Sequence, residues 1–437
     1  MKRFLLFSFL LAPFTATIGQ ELERRSFLGI SMENVTADVQ RIMQLPDTSG
    51  ALINRVVPRS TAEAAGFKKG DVLLSINNER ITSPQQAVAI VGAQKGQATF
   101  SYKLIRDKKT ISGKAAFKTY PKEEYPDLDV EYTEAATKAG VQRIIIAGKK
   151  GQTKQPMVVF LGGIGCYSLD SPLDTNRSEI QLLNKLARAG YTTVRIEKPG
   201  IGDGAGKSTP CNEVGFKDEV SSYVDAVNDL KKRPQFAGLP IYIIGHSMGG
   251  VMAPLIGAET PVDGIIAYGT IGSNFMEYLL KTRRTIGEAY GWEPAAIDSF
   301  VKECCECSGY YFVDKMTTRE AAAKNPHCDY YVSIFDLRSR RYNQELYDLN
   351  IPTAWKNYKG KSLLVWGESD YVAAKHDHEL VVDAVNYYHK GNASFATVKG
   401  ADHGMNSAAS FSEATNNPGA YNPAVGELFL DWLKKQS

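Results

Sequence analysis

Followed for its apolar periodicity alone, the chain changes grammar three times. The opening residues carry Lys2 and Arg3, then an apolar run over 4–14 and small residues through Gly19. That order predicts an export leader over residues 1–19, because the run is too short to span a bilayer comfortably. From 25 to about 119 the pattern is one of short alternating strands, two short helices and glycine turns. "STAEAAGF" reads as a helix start, with Ser60 as N-cap, Glu63 completing a capping box and Gly66 as the stop. A strand opens after Gly70-Asp71 and reverses at Asn77-Asn78. Ser83, Pro84 and Gln86 spell a second helix start, and "ATFSYKLIRDKKTISGKAAF" alternates as a hairpin.

From about Asp127, strands and helices take turns. "VQRIIIAG", "MVVFLGG", "YTTVRIEKPG", "IYIIG", "GIIAYG", "SLLVWG" and "FATVKG" are strand-like and end in glycine. Between them lie helical stripes, such as Ile180, Leu183 and Leu186, or Phe216, Val220, Tyr223, Val227 and Leu230. "NPAVGELFLDWLKK" makes a last amphipathic helix with Pro423 near its start. Such alternation predicts a mostly parallel sheet covered on both faces, with ligands beyond the strands' carboxyl ends. Between Ile271 and about Asn357 the rhythm breaks. This tyrosine-rich span holds Cys304, Cys305, Cys307 and Cys328, and is predicted to be an inserted, partly helical cap pinned by disulfides.

Composition adds limits. With 437 residues the chain is too long for one ordinary domain. Formal net charge is +3, it drops by two if Lys2 and Arg3 leave with the leader, and no basic block stands out. Nucleic acid is therefore not expected as a partner. Six cysteines in an exported chain suit disulfides, though sequence alone does not choose among the fifteen possible pairings. The spacing Cys304-Cys305-Glu306-Cys307 is not a usual zinc pattern.

"FLGI" at 27–30 and "STAEAAGFKKGDVLLSINNERI" at 60–81 carry a first resemblance, which covers nearly all of 25–119. This segment resembles a PDZ domain of the bacterial protease-associated type. The resemblance implies a groove between the strand after "FLGI" and the helix after Ser83, with Ala87, Ile90 and Val91 as its apolar wall or the core behind it. The backbone N–H groups of Leu28, Gly29 and Ile30 would hold a terminal carboxylate there, and the bound protein or peptide end would add a strand. The alternative is a domain that only packs on its neighbour.

"GHSMG", Gly245 to Gly249, fits G-x-S-x-G between an apolar strand and a small-residue helix. A nucleophile elbow needs that frame, because a sharp turn must expose Ser247 at a helix N-terminus while glycines let strand and helix approach. Here the chain resembles the α/β-hydrolase superfamily, closest to its esterase and serine-aminopeptidase-like branch, over about 127–437 apart from the cap. The resemblance implies the order serine, acid, histidine. Asp370 in "LLVWGESDYV" and His403 in "TVKGADHGM" occupy the loops where that family places the other two. His403 would exchange the proton of Ser247, and Asp370 would orient the imidazole. Rivals for the acid are Asp402 and Glu368; rivals for the base are His246, His327, His376, His378 and His389. "KHDHE" at 375–379 is read as a solvated helix face rather than a metal site. The N–H groups of Met248 and Ile164 would form the oxyanion hole; Ile164 is assigned by alignment of "FLGGIGCYS" with the family's His-Gly-x-Gly pattern, from which Gly162 departs. Cys166 and Cys211 fall in this loop and the neighbouring one, so a bridge bracing the oxyanion loop is expected.

The expectation is an exported serine hydrolase, periplasmic or secreted, that cleaves a small carboxylic ester through an acyl-enzyme and needs neither cofactor nor metal. A serine aminopeptidase acting on short peptides is the alternative, with Glu277, Glu288 and Glu303 available to hold a substrate ammonium. A catalytically inert PDZ-containing binding protein is the reading from another class. No stable membrane span is expected.

Overall fold

Alternation decides which side chain meets which layer. In the computed structural model, which describes residues 22–94 and 96–436, two sheets divide most of the chain. The expected leader at 1–19 lies outside the described residues.

The first sheet is antiparallel and has six strands: β2 (Ile30–Asn34), β3 (Ala51–Val56), β4 (Val72–Ile76), β5 (Glu79–Arg80), β6 (Thr99–Arg106) and β7 (Lys109–Ala116). Their order is β2-β3-β4-β6-β7, with β5 beside β4, so β2 is an edge strand. The short pair β1 (Ser26–Phe27) and β8 (Lys118–Thr119) closes the unit. Helix Pro84–Gly92 starts as its sequence dictates, with Ser83 Oγ accepting from Gln86 N–H and Pro84 in the first turn. It buries Ala87 and Ile90 in a core with Ile53, Leu73, Ile76 and Phe100. The capping box expected at Ser60 is only half made. Ser60 Oγ accepts from Glu63 N–H, but Glu63 reaches Arg59 N–H instead of Ser60 N–H. Arg59 sits at φ 62°, which turns its amide toward that carboxylate.

The second sheet has eight strands: β9 (Leu128–Thr137), β10 (Gly140–Lys149), β11 (Met157–Leu161), β12 (Thr192–Ile196), β13 (Ile241–His246), β14 (Gly264–Tyr268), β15 (Lys361–Gly367) and β16 (Ala393–Val398). Their order is β16-β15-β14-β13-β11-β12-β10-β9, with β10 antiparallel to both of its neighbours, β9 and β12, and the other pairings parallel. Along β11, Val158 and Phe160 pack beside Leu182, Leu186, Phe429 and Leu433 of one helical layer. Met157, Val159 and Leu161 pack with Val220, Val227, Val251 and Ile256 of the other. The chain leaves β11 toward β12 on one side and reaches β13 on the other, so a switch point lies at the carboxyl end of β11.

Between β14 and β15 come six helices, from Phe275–Ala289 to Ile351–Asn357, and one 3-10 segment, Ser333–Leu337. The Cys307–Cys328 disulfide ties helix Pro294–Phe312 to helix Cys328–Val332, while Cys304 and Cys305 are free. The two units meet through a buried ion network. Arg24 pairs with Asp170 at 2.8 Å and Asp203 at 2.7 Å, and Asp203 also holds Arg143 at 3.0 Å. No helix among the described residues is long and apolar enough to cross a membrane.

Candidate active site

Ser247 lies between β13 and helix Met248–Glu259 at φ 55° and ψ −119°. A non-glycine residue there costs about 1–3 kcal/mol and persists only when its surroundings enforce it. The surroundings are the two flanking glycines. A Cβ on Gly245 would stand 2.5 Å from Gly249 O, and one on Gly249 would stand 2.2 Å from Leu161 O. The strand, the turn and the helix therefore close only with glycine at both places.

His403 follows β16 and Asp370 follows β15. His403 Nδ1 lies 2.9 Å from Asp370 Oδ2, and Asp370 is fully buried. Asp370 Oδ1 also accepts the N–H groups of Val372 at 2.8 Å and Ala373 at 2.9 Å, which fixes the carboxylate. Burial works against the charged form of both groups, yet the pair prevails: His403 is held above its ordinary value by Asp370, and Asp370 below its own by His403. Ser247 and His403 line one cavity, and among the described residues no hydrogen bond joins them. Such contacts often tighten only with substrate bound.

Four of the rival residues, His246, Asp402, Glu368 and His378, are engaged elsewhere. His246 is half-buried and held down to about 4, by desolvation first and then by the charge of His403. Neutral, it donates from Nε2 to His403 O at 2.7 Å and so braces the loop that carries His403. Asp402 accepts from Asn406 N–H at 2.7 Å, and Glu368 from Gly400 N–H at 3.1 Å. The solvated-face reading of 375–379 requires correction. Asp377 and His378 are buried, and both serve the loop after β14: Asp377 Oδ1 accepts from Ser273 N–H at 3.0 Å, and His378 Nε2 from Thr270 N–H at 3.1 Å. Only one side of the helix's first turn faces water. Among the described residues no group of three or more His, Cys, Asp or Glu could hold a metal ion.

Ile164 and Met248 both line the cavity beside Ser247. The loop 162–168 is positioned by residues that local sequence did not single out. Lys198 Nζ donates to Gly163 O, and Arg338 Nη1 to Ile164 O at 2.7 Å. A trans peptide sets its C=O and N–H on opposite sides, so fixing Gly163 O aims the N–H of Ile164 the other way. Tyr167 Oη accepts the Gly163 N–H at 2.8 Å. Glu219, fully buried, pairs with both Lys198 and Arg338. Burial holds the Lys198 ammonium down to about 8, against the pull of Glu219. The expected Cys166–Cys211 disulfide is present and staples the same loop to the one after β12.

The cavity measures about 320 Å³ and is walled by Ile271, Phe275, Leu279, Ile286, Phe335 and Leu337 from the inserted helices and their flanks. Among the described residues no aspartate or glutamate lines it. Glu277 faces Lys281 at 2.7 Å, Glu303 takes the hydroxyl of Tyr331 at 2.9 Å, and Glu288 is exposed.

In the first unit, Leu28 and Gly29 form the loop between β1 and β2, and Ile30 begins the edge strand. Gly29 has φ 76°. Their carbonyls are used, Leu28 O by Ala62 N–H and Gly29 O by Val57 N–H. Among the described residues the amides of Leu28 and Gly29 have no acceptor.

Known proteins share these parts. The alpha/beta hydrolase family matches residues 158–414, and the PDZ domain matches 52–101, a span that does not include Leu28, Gly29 or Ile30. "Probable periplasmic serine endoprotease DegP-like" of Marinomonas sp. (strain MWYL1) is 38% identical over 90 residues, which are 20% of this chain and 19% of that protein. "Periplasmic serine endoprotease DegP" of Escherichia coli (strain K12) is 32% identical over 89 residues, again 20% and 19%. The chain thus spans about a fifth of the curated relatives it matches. Among solved structures, Est1E from Butyrivibrio proteoclasticus is 13% identical with a TM-score of 0.44, covering 70% of this chain and 98% of its own. Pyrococcus horikoshii acylaminoacyl peptidase is 14% identical with a TM-score of 0.45, covering 77% and 48%.

Proposed function

The chain belongs to the alpha/beta hydrolase family, and from that premise we propose that it is an exported serine hydrolase cleaving carboxylic esters through an acyl-enzyme on Ser247. One observation carries the reading. A serine forced into a left-handed turn opens on the same apolar cavity as an imidazole whose other nitrogen is bonded to a buried carboxylate.

The chemistry follows from that arrangement. Ser247 Oγ attacks the ester carbonyl carbon while its proton passes to His403 Nε2. Asp370 stabilises the imidazolium that results. The carbonyl oxygen, now an oxyanion, takes the N–H groups of Met248 and Ile164, a contribution of about 3 kcal/mol for each such donor. Collapse breaks the ester C–O bond, and His403 returns the proton to the departing alkoxide. Water then attacks the acyl-enzyme by the same route and releases the acid and Ser247.

The lining favours esters over peptides with a free amino terminus, since such an ammonium would find no carboxylate in the cavity. The two disulfides and the similarity to periplasmic proteins support export. The PDZ domain is read as a holder of peptide or protein C-termini, through Leu28, Gly29, Ile30 and the free edge of β2. A panel of p-nitrophenyl esters beside aminoacyl-amides tests the assignment. Ester turnover that disappears in Ser247→Ala is expected; turnover of the amides alone would overturn it.

A further inference from the structure

Helix Phe275–Ala289 shows the cavity one stripe of side chains: Phe275, Tyr278, Leu279, Thr282, Arg283 and Ile286. The spacing of three and four is that of one helical face. Five of the six suit a dry wall. Arg283 does not.

Its neighbours in sequence show what a surface cation on this helix does. Lys281 pairs with Glu277 at 2.7 Å and Arg284 with Asp298 at 3.1 Å. Among the described residues Arg283 has no carboxylate within ion-pair distance, and its Nε is buried without a hydrogen-bond partner. The other arginine of the cavity, Arg338, is neutralised by Glu219. The titratable side chains that feel Arg283 carry no charge at neutral pH: burial raises the thiol of Cys304, and burial raises the phenol of Tyr278 to about 12. A half-buried guanidinium laid on an apolar wall, its Nε shielded and no carboxylate facing it, is an incomplete arrangement that an anionic ligand would complete.

We propose that the cavity takes a carboxylate-bearing ester, whose anionic end is held by Arg283 on the cap wall while its ester carbonyl lies at Ser247. Arginine suits this role because its planar fork matches a carboxylate with two parallel hydrogen bonds. The apolar residues between the two ends take the connecting methylenes. This names the substrate class of the reading above and rests on it only for the reaction, not for the binding.

The test separates the two. Calorimetry on Ser247→Ala protein compares monoethyl glutarate, an anion, with the neutral amide of the same shape, ethyl 4-carbamoylbutanoate. The anion is expected to bind about tenfold more tightly, the usual effect of a hydrogen bond to a charged group. Arg283→Gln should bring the two affinities together, and Arg283→Lys should keep part of the difference. Kinetics on the native chain should show the same preference between p-nitrophenyl hemiglutarate and its amide counterpart. Equal affinities overturn the proposal even if Arg283→Gln fails to fold, and so does a preference that survives in Arg283→Gln. If the anion binds better but neither ester is turned over, the hydrolase reading fails and this one stands.

Discussion

The two units offer ligands different kinds of atoms. The six-stranded unit offers backbone: an edge strand, β2, and the amides of Leu28 and Gly29, which no group among the described residues uses. The eight-stranded unit offers side chains, with Ser247, Asp370 and His403 brought to one rim from three separate strand ends. A backbone site tolerates many sequences and reads little beyond a chain end and a strand. A side-chain site is intolerant, because each group must have one identity and one orientation. The contrast teaches that the first unit suits locating a partner and the second suits chemistry.

The sharpest way to press this contrast is Asp370→Asn. The amide cannot stabilise the imidazolium or fix its tautomer, so kcat/KM should fall by about 10³–10⁴. The pH profile should move as well. His403 must be neutral to act as base, and the charge of Asp370 raises its pKa despite burial. In the native chain, activity should therefore rise with pH to a plateau, with a midpoint above the ordinary histidine value. In Asp370→Asn burial is opposed only by the weaker pull of Asp402, and the midpoint should drop. An unshifted midpoint would mean that the titrating group is not His403.

A smaller effect is expected in the other unit. A peptide with a free terminal carboxylate should bind it about tenfold more tightly than the same peptide amidated, because the loop amides lose a charged acceptor. Fluorescence anisotropy with both peptides measures this. Equal binding would remove the carboxylate from the account and leave the unit as a packing module.

The same difference explains what could be read from sequence. Elbow chemistry is local: Gly245, Ser247 and Gly249 must stand at fixed spacing, so the motif announced its turn. The loops of Asp370 and His403 were legible because each residue stands a few positions beyond a strand-like run closed by glycine, and the fold brings the two side chains together. The pairing of Cys166 with Cys211 followed from two loops that the resemblance made neighbours. Lys198, Arg338 and Glu219 were not legible, since they meet across β12, the inserted helices and helix Phe216–Lys232. Asp377 and His378 looked solvated because only tertiary packing lays the loop after β14 over that helix start. Arg283 could have been caught: Phe275, Leu279, Thr282 and Ile286 already set the phase of an inward stripe, and Arg283 falls on it.

The account stands or falls on a nucleophilic hydroxyl at one position. Incubation of the purified chain with a fluorophosphonate, followed by peptide mass spectrometry, addresses it directly. A single phosphonylated residue, Ser247, is expected, with labelling abolished in Ser247→Ala and strongly slowed in His403→Ala. Labelling that persists in Ser247→Ala, or a native chain that takes no label while it hydrolyses esters, would contradict the central claim.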